Sequence, residues 1–180
     1  MSQRSKDWRD EIWTKFETLF DRSAPHATGL WSVPDGWRGT VEEMLARTAD
    51  IVRADGIGRM TVTRLAQRDG QAEIAYVTES IRLRILIDAG IDRSSARLAC
   101  TCGVCGAAAE RYPRAEGTVA RCPVHRPHGI DAISPPWPLI RIERAIRGGL
   151  SRIVRCRIYD RASDAFVDVD PESLGIPRSP

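Results

Sequence analysis

The chain has 180 residues, with 27 Lys and Arg against 24 Asp and Glu and a formal net charge of +3. That length supports one domain, or one domain with an appended subdomain, whose core is large enough to fold without disulfides. No basic start leads into an apolar run and no apolar stretch approaches the roughly 20 residues of a bilayer span, so the expectation is a soluble, cytoplasmic protein with no membrane partner.

The charge is unevenly placed. Residues 134–161 carry a formal charge of +5 and residues 162–180 carry −3. A basic stretch beside an acidic tail points to nucleic acid or to an acidic protein surface. Lys6 and Lys15 are the only lysines, and an arginine- and alanine-rich chain is what a GC-rich genome writes, so arginine abundance by itself discriminates little.

In "SKDWRDEIWTKFETLFDRS" (5–23), Trp8, Ile12, Trp13, Phe16, Leu19 and Phe20 recur at helical spacing. The stripe predicts an amphipathic helix whose apolar face is either core or, through Trp8, Trp13 and Phe16, a partner-binding surface. A turn-rich connector follows. Thr40 and Glu43 then match a capping box opening a second helix, with Val41, Met44, Leu45, Ile51 and Val52 as its buried side.

"RMTVTRLAQRDGQAEIAYVT" alternates on both sides of Asp69-Gly70, the dipeptide favoured by type I′ hairpin turns because both central residues need positive φ. Met60, Val62, Ile74 and Tyr76 are the inward candidates. "ESIRLRILIDAGIDRSSARLA" predicts a further helix with Ile81, Ile85 and Leu86 inward and a break at Gly90.

"CTCGVCG" and "CPVH" carry the chemistry. Cys102-x2-Cys105-x16-Cys122-x2-His125 is two ligand pairs separated by a loop, close to the spacing of zinc ribbons and treble-clef knuckles. Each x2 pair can bite one ion from a tight turn. Four protein ligands predict one structural Zn2+, because catalytic zinc usually keeps a position for water. Cys100 and His128 are spare candidates for one ligand; Cys156 reads as a buried strand residue.

Beyond the knuckle, "RPHGIDAISPPWPL" is a proline-rich linker and "LIRIERAIRGG" fits helix or strand. "RIVRCRIYD" and "AFVDVD" flank a turn as a hairpin, and Asp170-Pro171 opens a last helical turn. The expected fold is α+β: two N-terminal helices, a β-hairpin, a helix, a treble-clef or zinc-ribbon-like knuckle and a C-terminal β-hairpin. The expected divisions are a core over 1–99, the knuckle over 100–128, the linker over 129–139 and a basic subdomain over 140–180.

The order of parts resembles a group of largely uncharacterised bacterial and phage proteins. These carry a Gly-Trp before a helix, a hairpin of the type "VxQVKEKFGGLRFY", a helix and a "CEVCG … LCDxH" zinc knuckle. The matching residues are Gly36-Trp37, "VTRLAQRDGQAEIAYV" (62–77), "CGVCG" (102–106) and "RCPVH" (121–125). The resemblance implies the same four zinc ligands and no activity.

Three functions follow as expectations. The first is a non-catalytic regulatory protein that binds a protein partner, such as an adaptor, an inhibitor or an anti-defence factor of a bacterium, phage or mobile element. Its anchors would be the aromatic residues, including Trp31, Trp37 and Trp137 in connectors. The second is a nucleic-acid-binding protein. Arg141, Arg144 and Arg147 share one face if their segment is helical, while Arg155, Arg157 and Tyr159 share one strand face where arginines hold phosphates and an aromatic stacks a base. The alternative for that face is a solvated sheet whose arginines pair with Asp168 and its neighbours. The third, a metal-dependent nuclease or hydrolase, lacks the usual motifs: His-x-Glu with Pro-Cys-x-x-Cys, His-Glu-x-x-His, a P-loop and Gly-x-Ser-x-Gly do not occur in the sequence.

Overall fold

The computed structural model describes residues 7–23, 28–56, 58–115, 117–133, 139–147 and 150–177. Trp137, a connector aromatic of interest, lies outside them. Among the described residues, three helices and three small antiparallel sheets make a mixed α+β fold. No helix among the described residues is long and apolar enough to cross a membrane.

Helix α1 (Trp8–Lys15) starts where the Asp7 side chain accepts the Arg9 N–H, with Asp10 and Glu11 in its first turn and Lys15 in its last. Those charges suit the helix dipole. The helix is shorter than the stripe predicts. After Lys15 a 3-10 turn (Glu17–Leu19) rotates the chain, and Phe20 forms a parallel bridge with Val62. Trp8, Ile12, Phe16, Leu19 and Phe20 are buried in the protein's own core, and Trp13 stacks on Phe20 with ring centroids 4.7 Å apart. Trp8 and Phe16 are therefore core residues and not anchors held out to a partner.

Helix α2 (Arg38–Asp55) does not use the expected capping box. A 3-10 turn at Asp35–Trp37 runs straight into it, Trp37 already has helical angles, and Glu43 pairs with Arg47 one turn on. Gly56 closes the helix at φ 71°, its N–H bonding to Val52 O, a left-handed cap for which glycine has no steric cost. Val41, Met44, Leu45 and Thr48 are buried, while Ile51 and Val52 sit at the edge.

Strands β1 (Met60–Arg68) and β2 (Gln71–Thr78) form the predicted hairpin, with Asp69 at φ 50° and Gly70 at φ 69°. Thr63 is an extra residue, since Val62 pairs with Tyr76 but Arg64 with Ala75. This bulge flips the alternation. Met60 and Val62 face the core before it, and Leu65 and Ala66 are buried after it.

Helix α3 (Ile81–Ala99) opens on Ser80, whose hydroxyl accepts the Leu83 N–H at 3.2 Å. Two expectations fail here. Gly90 does not break the helix, and Ile81, Ile85 and Leu86 are exposed at 75%, 67% and 48%. The segment carries apolar residues on two stripes, and the one that packs is Leu83, Ile87, Ser94 and Leu98. Leu45, Leu65, Leu83 and Ile87 are among the nearly fully buried residues of the core, each worth roughly 1.5–3 kcal/mol relative to exposure.

Strands β3 (Glu110–Arg114) and β4 (Gly117–Arg121) form a second hairpin. The third sheet has the order β5-β6-β7, with β5 (Ile140–Arg147), β6 (Leu150–Asp160) and β7 (Ala165–Asp168). The "LIRIERAIR" segment is thus a strand: Ile140 and Ile142 alternate with Arg141 and Glu143 and pair with Ile158 and Cys156. Tyr159 packs on Ala96 and Cys100, which seats this sheet against the end of α3. The opposite face buries Ile140 and Cys156 under Ile176, after the 3-10 turn Pro171–Leu174 capped by Asp170.

Candidate metal centre

Two tight turns bring the ligand pairs together. The first follows α3 directly: Gly106, at φ 77°, bonds its N–H to Cys102 O at 2.9 Å, and Cys102 N bonds to Ala107 O at 2.8 Å. The second follows β4, where His125 N bonds to Cys122 O at 2.9 Å. Gly103 N reaches Ala120 O at 3.3 Å and ties the turns to each other. The β3-β4 hairpin accounts for the long loop between the two pairs.

The ligand atoms of Cys102, Cys105, Cys122 and His125 all lie within 4.8 Å of one another, an arrangement that can hold a metal ion. Cys105 Sγ is 3.7 Å from Cys122 Sγ, and His125 Nδ1 is 3.6 Å from Cys102 Sγ and 3.3 Å from Cys122 Sγ. Burial pushes the Cys102 thiol up, but the N–H groups of Cys122, Cys105 and Val104 outweigh it and bring its pKa to about 6. A thiol so tuned is poised to ligate as thiolate. At Cys105 the Ala107 N–H favours the thiolate, while desolvation and the neighbouring Cys122 and Cys102 sulfurs raise its pKa above the ordinary value.

The spare candidates stand outside the set. Cys100 is buried beside Tyr159, its thiol reaching Arg97 O at 3.3 Å, and His128 lies in an exposed turn.

Three elements clasp the knuckle. Gly36 N bonds to Gly103 O and Trp37 Nε1 to Thr101 O, both at 3.0 Å. A Cβ on Gly36 would sit 2.2 Å from Cys102 O, so only glycine allows the approach. The β1-β2 turn supplies Asp69 O, which accepts from the Arg111 guanidinium at 2.9 Å and from the Thr118 hydroxyl. On the third side Arg161 donates to Cys100 O at 3.0 Å, Thr101 Oγ1 at 2.6 Å and Gly106 O at 3.3 Å. The Gly-Trp pair thus bonds to the first metal turn, and the β1-β2 turn bonds to the β3-β4 hairpin that joins the two ligand pairs.

The arginine face is largely paired within the chain. Arg155 makes two bonds to Asp168 at 2.7 and 3.1 Å, Arg157 reaches Glu143 at 2.5 Å, and Arg141 reaches Asp92 at 3.4 Å while lying over the Phe166 ring. Tyr159 is buried and donates to Asp164 Oδ1, so it offers no stacking surface. Arg144 is exposed on β5, and the side chain of Arg147 lies outside the described residues. The helical face expected for Arg141, Arg144 and Arg147 does not form, because their segment is a strand with a register shift at Glu143/Arg144.

Sequence reasoning missed Asp164. At φ 50° in the β6-β7 turn, it accepts Tyr159 OH, pairs with Arg97 at 3.1 Å and stands 4.0 Å from Arg47 and Arg93. An Asp in a short turn facing a Tyr five residues before it was the available signal. Burial opposes its charge, but Tyr159 and Arg97 outweigh burial and lower its pKa. A depressed carboxylate stabilises the fold above its unfolded pKa, near 4, and that contribution is lost as pH falls through the folded value. Tyr159→Phe is expected to cost about 1 kcal/mol at pH 7 and to reduce the acid-induced drop in Tm below about pH 4, as read by thermal melts across pH.

No protein-family model, no curated protein and no solved structure matches this chain.

Proposed function

We propose that the chain is a non-catalytic, zinc-stapled regulatory protein that works by binding a protein partner, as an adaptor or inhibitor of the kind bacteria, phages and mobile elements use. The observation that carries the reading is the set of three cysteines and one histidine, in a knuckle held by the start of α2, the β1-β2 turn and Arg161 after β6. With Zn–S near 2.3 Å and Zn–N near 2.0–2.1 Å, tetrahedral geometry sets S···S at about 3.8 Å and S···N at about 3.5 Å. The separations of 3.7, 3.6 and 3.3 Å fit that ion. Four ligands leave no position for a reacting water, which favours a staple over a nuclease or hydrolase centre.

The partner side rests on the turn tips. Val104 and Val124 occupy equivalent places in the two x2 turns and are exposed at 50% and 85%. Two aliphatic side chains held out by a rigid metal centre suit a protein surface. The nucleic-acid reading is second: the +5 segment and exposed Arg144 support it, whereas the pairing of Arg155 and Arg157 and the burial of Tyr159 weaken it.

The test has two arms. Anisotropy titrations of metal-loaded protein with duplex DNA, single-stranded DNA and RNA at low salt are expected to give no saturable binding in the micromolar range. Tight binding with a steep salt slope that falls in Arg155→Ala and Arg157→Ala would replace this reading with the second. In the other arm, a photo-cross-linking residue at Val124 is expected to trap one protein in a metal-dependent way, and the same probe at exposed Asp50 is not.

A further inference from the structure

Among the described residues, nothing lies over an apolar stripe on α3. Ile81, Ile85 and Leu86 put three large aliphatic side chains into solvent within two turns. Single exposed aliphatics are common, but a cluster on one helix face marks an interface. At 100° per residue, Ile81, Arg82, Ile85, Ala89 and Asp92 fall within one arc of about 100°. Further along that arc Ala96 is buried under Tyr159 of the C-terminal sheet. The described residues thus cover the second half of this face and leave the first half bare.

The pattern along the bare half is self-complementary. Within the arc, the large Ile85 precedes the small Ala89 by one turn. Ala89 leaves room for another helix to approach closely. Charge follows the same order, with Arg82 at the N-terminal end of the face and Asp92 at the other, both exposed.

We infer that this face joins two copies of the chain in an antiparallel α3-α3 contact about a two-fold axis. An axis midway between Ile85 and Ala89 sets Ile85 of each copy against Ala89 of the other and Arg82 against Asp92 of the other. Large meets small and plus meets minus twice, as an isologous interface requires. Asp92 already receives Arg141 at 3.4 Å, and its carboxylate, with a side chain 59% exposed, retains lone pairs for a second guanidinium. The inference is independent of the metal and of the turn tips.

The register makes the test specific. Arg82→Asp alone puts Asp against Asp twice, and Asp92→Arg alone puts Arg against Arg twice. A mixture of the two variants restores both opposite-charge pairs. Sedimentation velocity of the full, metal-loaded chain is expected to show a dimer at about 100 μM, in the weak range typical of a small interface. Each variant alone is expected to weaken self-association by at least about tenfold, and the equimolar mixture to recover it as a heterodimer. Ile85→Arg, at an exposed position that the fold does not use, is expected to run as a monomer with an unchanged thermal melt. A monomeric wild type at that concentration overturns the inference. So does a dimer that survives Ile85→Arg, or a mixture that fails to associate while each variant keeps its fold.

Discussion

Cys102→Ala is expected to leave the protein without its metal and to lower its Tm by on the order of 10 °C, the shift that a loss of about 3–5 kcal/mol produces in a chain of this size. Elemental analysis of reduced wild-type protein is expected to find about one zinc per chain. The effect is large because a metal ion that binds only the folded state contributes its binding free energy to folding. Cys102 is fully buried, and its neighbours are Gly36 on one side and the second metal turn on the other. Without the ion, Thr101 and Gly103 lose their fixed positions, and with them go the bonds from Trp37 and Gly36. A strong chelator should reproduce the drop in wild type and have little effect on Cys102→Ala. His125→Cys provides the contrast, since a set of four cysteines also satisfies zinc, and that variant is expected to keep its metal and most of its stability. A metal-free wild type with an unchanged melt would remove the staple.

What the sequence made legible follows from which signals are local. Ligand spacing is local, so Cys102, Cys105, Cys122 and His125 were readable as one site before any fold was known. Turn chemistry is local as well: Asp69-Gly70 specified its hairpin and Asp170-Pro171 its last turn. The failures came where tertiary packing chose between equal local options. Helix α3 carries two apolar stripes, and only contact with α2 and β2 decides that Leu83 and Ile87 go inward while Ile81 and Ile85 do not. The strand β5 has Ile at alternate positions inside an arginine-rich run, which fits both periods until β6 pairs with it. Bulges at Thr63 and Val154 reverse an alternation that the sequence shows as continuous. The surroundings of the metal turns were also hidden, because Gly36, Asp69 and Arg161 come from three distant segments and most of the bonds they make to the knuckle use a backbone atom, which leaves no side-chain signature in the sequence.

Gly36→Ala tests that long-range grip most directly. The added methyl would lie 2.2 Å from Cys102 O, 2.6 Å from Gly106 N and 2.9 Å from Gly103 C. All three are backbone atoms of a turn held by metal ligands, so no flexible side chain can move aside. Either the ligand turn shifts or the start of α2 withdraws from it, and both options strain the Gly36 N to Gly103 O and Trp37 Nε1 to Thr101 O bonds. Overpacking of this kind costs about 1–3 kcal/mol, and the loss of a buried indole bond adds about 1 kcal/mol. Denaturant unfolding is expected to show a loss of roughly 2–4 kcal/mol with an unchanged m-value. Metal affinity should fall alongside stability, because the clasp and the ion hold the same turn. Gly39→Ala is the matched control: it lies three residues on, and a Cβ there meets nothing within 4 Å. It occupies the first turn of α2, where alanine is favoured over glycine by up to about 1 kcal/mol, so it should be neutral or slightly stabilising. A Gly36→Ala protein as stable as Gly39→Ala would mean that the metal turns do not lean on the start of α2, and that the Gly-Trp pair serves the core alone.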